Sequence, residues 1–331
     1  MSDLSLVAIG TIFSDFRTSF VGESLKNSEP VLNKKGRPIF RKGNLCGVTK
    51  IRYSSGNIKA LRMWQSESTN SKGICEHISK YIEQHPAPYL LNMSYLSNAI
   101  YFNGEYFSAL LMDWCDGRSL KEYINIHIND IKQLILLKES LIEMFKDMNQ
   151  RGISHGDIHH NNICISEEGT PILIDYDSMF VPSLKGHEDN CLGYSGFQLP
   201  NARENNKYLS SKTDYFSQLI VILTLECIIQ NSSLWSRYLD DDDTVSLLFK
   251  REDFLKLKSS NIYSDIKNLK EEVPYLLNVL EQYLQKRNID ELWPFYESNK
   301  DVQSLYCINC GQKVIEIIDK YCTKCGSSIY V

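Results

Sequence analysis

The chain has 331 residues, of which 43% are hydrophobic, 11% aromatic and 23% charged, and its formal net charge is -5. This composition is typical of an ordinary soluble globular protein and excludes a disordered or fibrous chain, while the acidic balance argues against a surface that coats nucleic acid. The longest apolar run, residues 219–229, is shorter than the roughly 20 residues that cross a bilayer. The N-terminus lacks the basic and apolar regions of a secretion signal, so we expect a cytoplasmic protein without a membrane partner.

Strand signals dominate the first third of the chain after residues 1–30, which show no clear pattern. Two pairs of apolar runs each flank a turn sequence, Ser54-Ser55-Gly56 in the first pair and Asn103-Gly104 in the second. An Asn-Gly dipeptide between apolar runs is a strong hairpin signal. The elements predicted here are strands at 48–53, 58–64, 99–102 and 106–114, with a helix at 70–84.

Helical periodicity replaces strand alternation in the second part of the chain. The predicted elements are a helix from Lys132 that ends at Gly152, two short strands at 163–165 and 171–174, and a buried helix at 214–229. The acidic run Asp240–Asp243 predicts a solvated loop. Strands followed by helices favour an α+β fold with two lobes.

Four of the ten cysteines form a distinct motif near the C-terminus, in two Cys-x-x-Cys-Gly knuckles. Their members are Cys307, Cys310, Cys322 and Cys325. Four thiolates on two tight turns suit tetrahedral Zn²⁺, and a closed four-cysteine site leaves no position for substrate, so the metal would be structural. Two disulfides or a redox pair are the alternatives, and a reducing compartment disfavours them. The other six cysteines have no framework spacing.

The segment from His155 to Asp177 carries the most informative constellation of polar residues. Asp157 and Asn162 are five residues apart, and Asp175 follows after the predicted 163–174 hairpin. This spacing brings the three side chains to one end of the hairpin. A carboxylate and an amide oxygen are suitable ligands for Mg²⁺, and a second carboxylate can accept a proton. Such a set is the equipment of phosphoryl transfer.

This segment resembles the catalytic loop and metal loop of protein kinases, H-R-D-x-x-x-x-N and D-F-G, with both spacings matched. The text HGDIHHNNI…LIDYDSMFVP is similar to a group of bacterial kinase-like proteins that often carry a C-terminal zinc ribbon. Some of that group resemble kinases found beside von Willebrand-type and phosphatase partners in stress-response loci. The resemblance spans residues 30–300. It implies a two-lobed protein-kinase-like fold of the α+β class, with an N-terminal extension at 1–30, a β-rich N-lobe at 31–115, a helical C-lobe at 116–300 and a zinc ribbon at 303–331.

The resemblance also implies roles for individual residues. Asp157 would be the catalytic base or the group that orients the hydroxyl, while Asn162 and Asp175 would hold Mg²⁺ that bridges the phosphates of ATP. Arg62 falls where the phosphate-binding lysine of kinases belongs, while Lys59 points to the opposite strand face. An ion pair on the strand is the alternative role for Arg62.

Other nucleotide contacts depart further from the kinase pattern. Gly43 belongs to a degraded glycine loop that an ordinary hairpin turn explains equally well. Glu76 would pair with Arg62 as the helix glutamate does in kinases, with Glu67 as its rival and an exposed helical residue as the alternative. The adenine would lie against the main chain of the segment formed by Met112, Asp113, Trp114 and Cys115.

The catalytic and metal loops contain three further departures, at Gly156, His159 and Asp177. Gly156 replaces the arginine that normally pairs with a phosphorylated activation loop, so that switch is not expected. His159 would contact the γ-phosphate or order the loop. Asp177 replaces the glycine of D-F-G and offers an extra metal carboxylate. His155 would pack under the metal loop.

Several functions fit these residues. The leading hypothesis is an ATP- and Mg²⁺-dependent protein serine/threonine kinase with the zinc ribbon as a docking or stabilising module. The alternatives are a small-molecule kinase similar to aminoglycoside or choline kinases, and a nucleotide-binding pseudokinase scaffold, which Arg62 and the worn glycine loop favour. Nucleic-acid contact through lysines of the ribbon is weak, because Glu316 and Asp319 offset them. The protein substrate or partner is not identified by the sequence.

Overall fold

Two compact units make up the chain, Met1–Leu292 and Trp293–Val331. The structure is a computed structural model, and it describes residues 3–42, 46–66, 71–189, 193–200, 202, 207–239, 246–297, 305–306 and 313–314. In the second unit the described residues form one antiparallel pair of strands, Leu305–Tyr306 with Lys313–Val314. The four ribbon cysteines, Gly43, Glu67 and the acidic run at 240–243 lie outside the described residues. The zinc ribbon therefore stays a prediction.

An antiparallel sheet forms the first part of the larger unit. Its strands are β1 Ser28–Pro30, β2 Phe40–Lys42, β3 Cys46–Tyr53, β4 Ile58–Trp64, β5 Met93–Phe102 and β6 Glu105–Asp113. Their order is β1-β3-β4-β6-β5, and β2 also pairs with β3. Both predicted hairpins are confirmed, as β3–β4 and β5–β6. Asn103 and Gly104 adopt φ values of 49° and 87°, because a two-residue hairpin turn of this type requires positive φ at both positions.

The N-terminal segment contributes to the core of this sheet. It forms α1 Leu6–Ser14 and α2 Phe16–Ser19. Ile9, Ile12 and Phe13 are fully buried in the same apolar cluster as residues of β3 and β4. A Cβ on Gly47 of β3 would lie 2.8 Å from the Ile9 side chain, so glycine allows α1 to approach the sheet closely. The segment that we expected as an extension thus packs as part of the N-lobe.

Helices dominate the rest of the larger unit. They are α3 Ser71–Gln84, α4 Leu120–His127, α5 Ile131–Gln150, α6 Tyr215–Gln230, α7 Ser233–Tyr238, α8 Arg251–Leu255, α9 Asn261–Ile266 and α10 Val273–Tyr283. Residues 215–228 of α6 are all buried, which confirms the predicted central helix. The α5 and α10 helices pack against α6, and α3 packs against β5. The predicted helices at 70–84 and from Lys132 are confirmed as α3 and α5.

A second, small sheet positions the polar loops. Its strands are β7 Gly117–Ser119, β8 Ile163–Ser166 and β9 Pro171–Leu173, in the order β7-β8-β9. The β8–β9 hairpin confirms the two predicted short strands, with Ile163 opposite Leu173. This register brings the residue before β8 and the residues after β9 to the same end of the hairpin.

The larger unit is thus a mixed α/β structure whose antiparallel N-lobe sheet and helices fit a kinase-like fold. Across the ranges that the structure describes, no helix combines the length and the apolar character needed to cross a membrane.

Candidate active site

The loop from His155 to Asn162 is fixed to the start of α6. The Asp214 carboxylate accepts hydrogen bonds from the amide of His155 at 2.5 Å and from the amide of Gly156 at 2.9 Å. Asp214 is only 1% exposed. Sequence reasoning identified Asp214 only as a helix start. The signal was a carboxylate preceding a helix that is apolar on all sides.

Gly156 allows this loop to pass close to the segment after β9. Its φ is +84°, and a Cβ there would lie 2.0 Å from the carbonyl oxygen of Ser178. Any side chain would clash with main-chain atoms at this point, which no rotamer change can relieve. The residue that replaces the kinase arginine is therefore required by backbone packing.

His155 connects the loop at 155–162 to the segment that follows β9. It is fully buried, its Nε2 lies 2.9 Å from the carbonyl oxygen of Ile174, and its Nδ1 accepts the amide of Asp157 at 3.3 Å. Through these two bonds the His155 imidazole links the main chain of Ile174 to the main chain of Asp157. The side chain packs beside Ile174, directly before Asp175, where a structural histidine was expected.

The structure brings Asp157, Asn162 and His159 together. The Asn162 Nδ2 donates to the carbonyl oxygen of Asp157 at 2.9 Å and lies 3.4 Å from its carboxylate Oδ2. The His159 Nε2 is 3.5 Å from the same Oδ2. His159 is 4% exposed and its ring lies 4.2 Å from the ring of Tyr194, centroid to centroid. This packing fixes the imidazole beside Asp157.

Asp175 joins the same group from the other strand of the hairpin. The amide of Ile174 donates to the carbonyl oxygen of Asn162 at 3.0 Å, so Asp175 directly follows the residue paired with Asn162. Its φ is 70°, in the left-handed region that aspartate tolerates better than most residues. About half of its side chain, 47%, remains exposed. The thirteen-residue spacing in sequence thus brings the main chains of Asn162 and Asp175 to the same end of the β8–β9 hairpin.

Arg62 of β4 reaches these carboxylates from the N-lobe sheet. Its Nη1 lies 2.6 Å from Asp175 Oδ1 and 3.0 Å from Asp177 Oδ1, and its Nη2 bonds Asp177 Oδ2. Arg62 is 8% exposed. Burial disfavours its charge, but the two carboxylates outweigh burial and hold the pKa of Arg62 above its ordinary value. The guanidinium is therefore a permanent charge inside the site.

The pKa values of neighbouring groups reflect the same ion cluster. Desolvation of the Asp177 carboxylate raises its pKa, and the negative charge of nearby Asp175 raises it further. The positive charge of Arg62 lowers this pKa but does not cancel the increase. Burial raises the pKa of the Cys46 thiol, which lies beside the same guanidinium. Two carboxylates thus share a single cation.

The structure does not bring Glu76 to Arg62, so the predicted pair is wrong. The Glu76 side chain is 59% exposed, and its carboxylate lies 3.7 Å from Lys72 one helical turn away. The residues of α3 that face the core are instead Cys75, Ile78 and Ile82. The helix therefore presents an apolar face to the protein and its acidic residue to solvent.

Residues 112–115 connect the N-lobe sheet to the helical part. Met112 is buried and pairs with Ala60 of β4. Asp113 forms an ion pair with Lys59, which confirms that Lys59 does not share the position of Arg62. The main-chain amide of Asp113 donates to the main-chain carbonyl oxygen of Asn92 at 2.9 Å.

The next two residues differ in their main-chain contacts. Within the described part of the chain, the main-chain groups of Trp114 and Cys115 form no hydrogen bond with another main-chain group. The Cys115 sulfur lies 2.7 Å from the sulfur of Cys164, two residues after Asn162. This contact was missed because the sequence distance of the two cysteines carries no signal.

No cluster of three or more His, Cys, Asp or Glu side chains that could hold a metal occurs among the described residues. A magnesium site at these residues would therefore depend on the mixed set of an amide and one or two carboxylates, together with ligands from a substrate.

Comparison with protein families finds one match within this region. The model of the ABC1 atypical kinase-like domain matches residues 103–185, the segment that runs from the β5–β6 turn through both polar loops. Comparison with curated proteins finds no match. The segment that carries Asp157, Asn162 and Asp175 is thus similar to an atypical kinase-like domain.

Proposed function

We propose that the chain is an ATP- and Mg²⁺-dependent phosphotransferase that transfers the γ-phosphate of ATP to a serine or threonine hydroxyl of a protein. The observation that carries the proposal is the convergence of Asp157, Asn162 and Asp175 around one hairpin end, opposite the buried cation of Arg62. Phosphoryl transfer requires a general base, oxygen ligands for a metal ion and a fixed positive charge.

The donor set fits Mg²⁺. Asn162 and Asp175 supply an amide oxygen and a carboxylate, and Mg²⁺ in phosphoryl-transfer sites is bound by one or two carboxylates together with substrate phosphates. When bound, the ion would supply charge neutralisation at the phosphates. Asn162 would be oriented by its hydrogen bond to the Asp157 carbonyl, and the half-exposed Asp175 would be accessible from the cleft.

Asp157 would accept the proton of the attacking hydroxyl. The hydroxyl oxygen forms the new bond to the γ-phosphorus while the bond from that phosphorus to the bridging oxygen of ADP breaks, and the proton passes to the Asp157 carboxylate. His159, 3.5 Å from that carboxylate, and the Asn162 amide would keep it aimed. Arg62 would stabilise the phosphate charge as a fork-shaped donor.

The adenine would lie against the segment at 112–115. The main-chain groups of Trp114 and Cys115 that bond no other main chain in the described residues are suitable partners for the edge of a purine ring. The predicted four-cysteine ribbon would add a structural zinc and a docking module.

One observation favours a second candidate, a nucleotide-binding pseudokinase scaffold. Arg62 already pairs with Asp175, the carboxylate assigned to the metal, so a metal ion would have to compete with this ion pair. A scaffold would bind nucleotide weakly or not at all and transfer no phosphate. The two candidates therefore differ in a measurable reaction.

The test is phosphate transfer by the purified full chain from γ-labelled ATP with Mg²⁺, to itself or to proteins of a cell lysate. We expect label on protein with the wild type and a loss of about 10²-fold or more with Asp157→Asn, the usual contribution of a general base. Asp130→Asn is the matched control, because Asp130 caps α5 and asparagine caps equally well. ATP turnover only after a small polyol or amine is added would favour a small-molecule kinase, and binding without transfer would favour the scaffold.

A further inference from the structure

The contacts of Arg62 with its two carboxylates are not equivalent. Asp177 receives both terminal nitrogens of the guanidinium, one on each carboxylate oxygen, whereas Asp175 receives only Nη1. A two-pronged arginine–carboxylate pair fixes the plane of the guanidinium as well as its position, which a single contact does not. Asp177 is therefore the partner that determines where Arg62 points.

The helix next to the sheet offers no competing anion. The acidic residues of α3 are Glu76 and Glu83, and both are exposed. Its buried face consists of apolar side chains, among them Ile78 and Ile82. An arginine buried in the N-lobe sheet thus has no counter-charge from this helix.

Tyr176 explains why both carboxylates face Arg62. Its side chain is 2% exposed, and its hydroxyl accepts the amide of Leu91 at 2.7 Å and donates to the carbonyl oxygen of Leu173 at 2.9 Å. With Tyr176 directed into the protein, the residues on either side of it, Asp175 and Asp177, both reach Arg62 and stay about half exposed. The Asp-Tyr-Asp sequence is therefore one anchored unit that carries two charges.

We propose that Asp177 is the positioning residue of Arg62 and holds the guanidinium in the orientation that receives nucleotide phosphates. It performs the task that the sequence analysis assigned to the helix residue Glu76. The inference rests on the proposed function, because it concerns how the phosphate-binding cation of that site is aimed.

In this arrangement Asp175 and Asp177 have different roles. A buried guanidinium without a partner is strongly destabilising, so Arg62 needs at least one of its two carboxylate partners at all times. If Asp177 keeps its ion pair with the Arg62 guanidinium, the Asp175 carboxylate can bind the Mg²⁺ ion that accompanies ATP. The orientation of Arg62 then depends on the metal loop and is independent of the position of α3.

The experiment measures binding of Mg·ATP and of adenosine to the full chain by calorimetry. The variants are Asp177→Asn, Asp177→Glu, Glu76→Gln, and Arg62→Met alone and combined with Asp177→Asn. Glu83→Gln serves as the control on the same helix. We expect Asp177→Asn to weaken Mg·ATP binding about tenfold or more, the scale of a charge-assisted pair, with less than about twofold change for adenosine. Asp177→Glu, which keeps the charge, should restore part of the affinity, and it also serves if the asparagine variant does not fold.

The double variant separates positioning from metal binding. If Asp177 acts through Arg62, Asp177→Asn has no further effect once Arg62 is methionine. An undiminished effect in that background would overturn the inference, as would a loss with Glu76→Gln and none with Asp177→Asn. Failure of the wild type to bind Mg·ATP is a different result, since it removes the proposed function and this inference with it.

Discussion

Replacing Asp214 by asparagine should loosen the loop that carries Asp157. The buried carboxylate accepts two main-chain amides, those of His155 and Gly156, at 2.5 and 2.9 Å. Asparagine has nearly the same shape but only one accepting oxygen. Its NH₂ group would face an N–H donor, so one buried amide would lose its partner.

The structure sets the size of the effect. A hydrogen bond to a charged group contributes about 1.5–3 kcal/mol, and a buried donor left without a partner costs about 1–3 kcal/mol. Loss of one such bond and conversion of the other to a neutral bond should lower the free energy of unfolding by about 2–4 kcal/mol. This is a large part of the roughly 5–15 kcal/mol that stabilises a typical protein.

Urea unfolding of the full chain measures this loss directly. The matched control is Asp253→Asn, since that carboxylate accepts one amide, from Lys250 at 2.8 Å, at a partly exposed helix start. There we expect a loss of about 1 kcal/mol or less, typical of a cap. A change below about 0.5 kcal/mol for Asp214→Asn, the range of surface substitutions, would refute the anchoring role.

Three further predictions concern backbone packing, acid stability and metal content. Gly156→Ala should lower the free energy of unfolding by more than about 2 kcal/mol, because its Cβ would lie 2.0 Å from the Ser178 oxygen, whereas Gly36→Ala, with open space around it, should cost about 1 kcal/mol in urea unfolding. Burial raises the pKa of Asp113, but hydrogen bonds from a lysine and an asparagine outweigh it and hold that pKa below its usual value. Its stabilisation is therefore present above the unfolded-state pKa of about 4 and is lost as pH falls through the folded-state pKa, so Asp113→Asn should flatten the acid limb of stability against pH. Metal analysis should find about one zinc ion per chain, absent after Cys307→Ser, and a metal-free wild type would remove the predicted ribbon.

Short sequence patterns correctly predicted the turns and helices whose formation depends mainly on residues close together in the chain. The Asn103-Gly104 turn and the 3.6-residue periodicity of α5 are properties of short segments, and the structure contains both. The spacing of thirteen positions from Asn162 to Asp175 was sufficient to predict their proximity, because a short hairpin leaves few alternatives for where its ends lie.

Contacts between distant segments could not be predicted in the same way. Arg62 and Asp177 are 115 positions apart, and their pairing depends on how the N-lobe sheet lies over the metal loop. The partner assigned from kinase resemblance, Glu76, was wrong because the buried face of α3 is apolar. The N-terminal helix α1 was missed for a related reason, since its short apolar stripe is buried only once the sheet exists.

In the proposed function, the chain binds a magnesium nucleotide through Asn162 and Asp175 and uses Asp157 for phosphate transfer. Calorimetric titration of the full chain with ATP, in the presence and absence of Mg²⁺, tests it most directly. We expect saturable binding that strengthens with Mg²⁺, and loss of that Mg²⁺ dependence in Asp175→Asn. Absence of ATP binding by the folded wild type, or the same Mg²⁺ dependence in the variant, would contradict it.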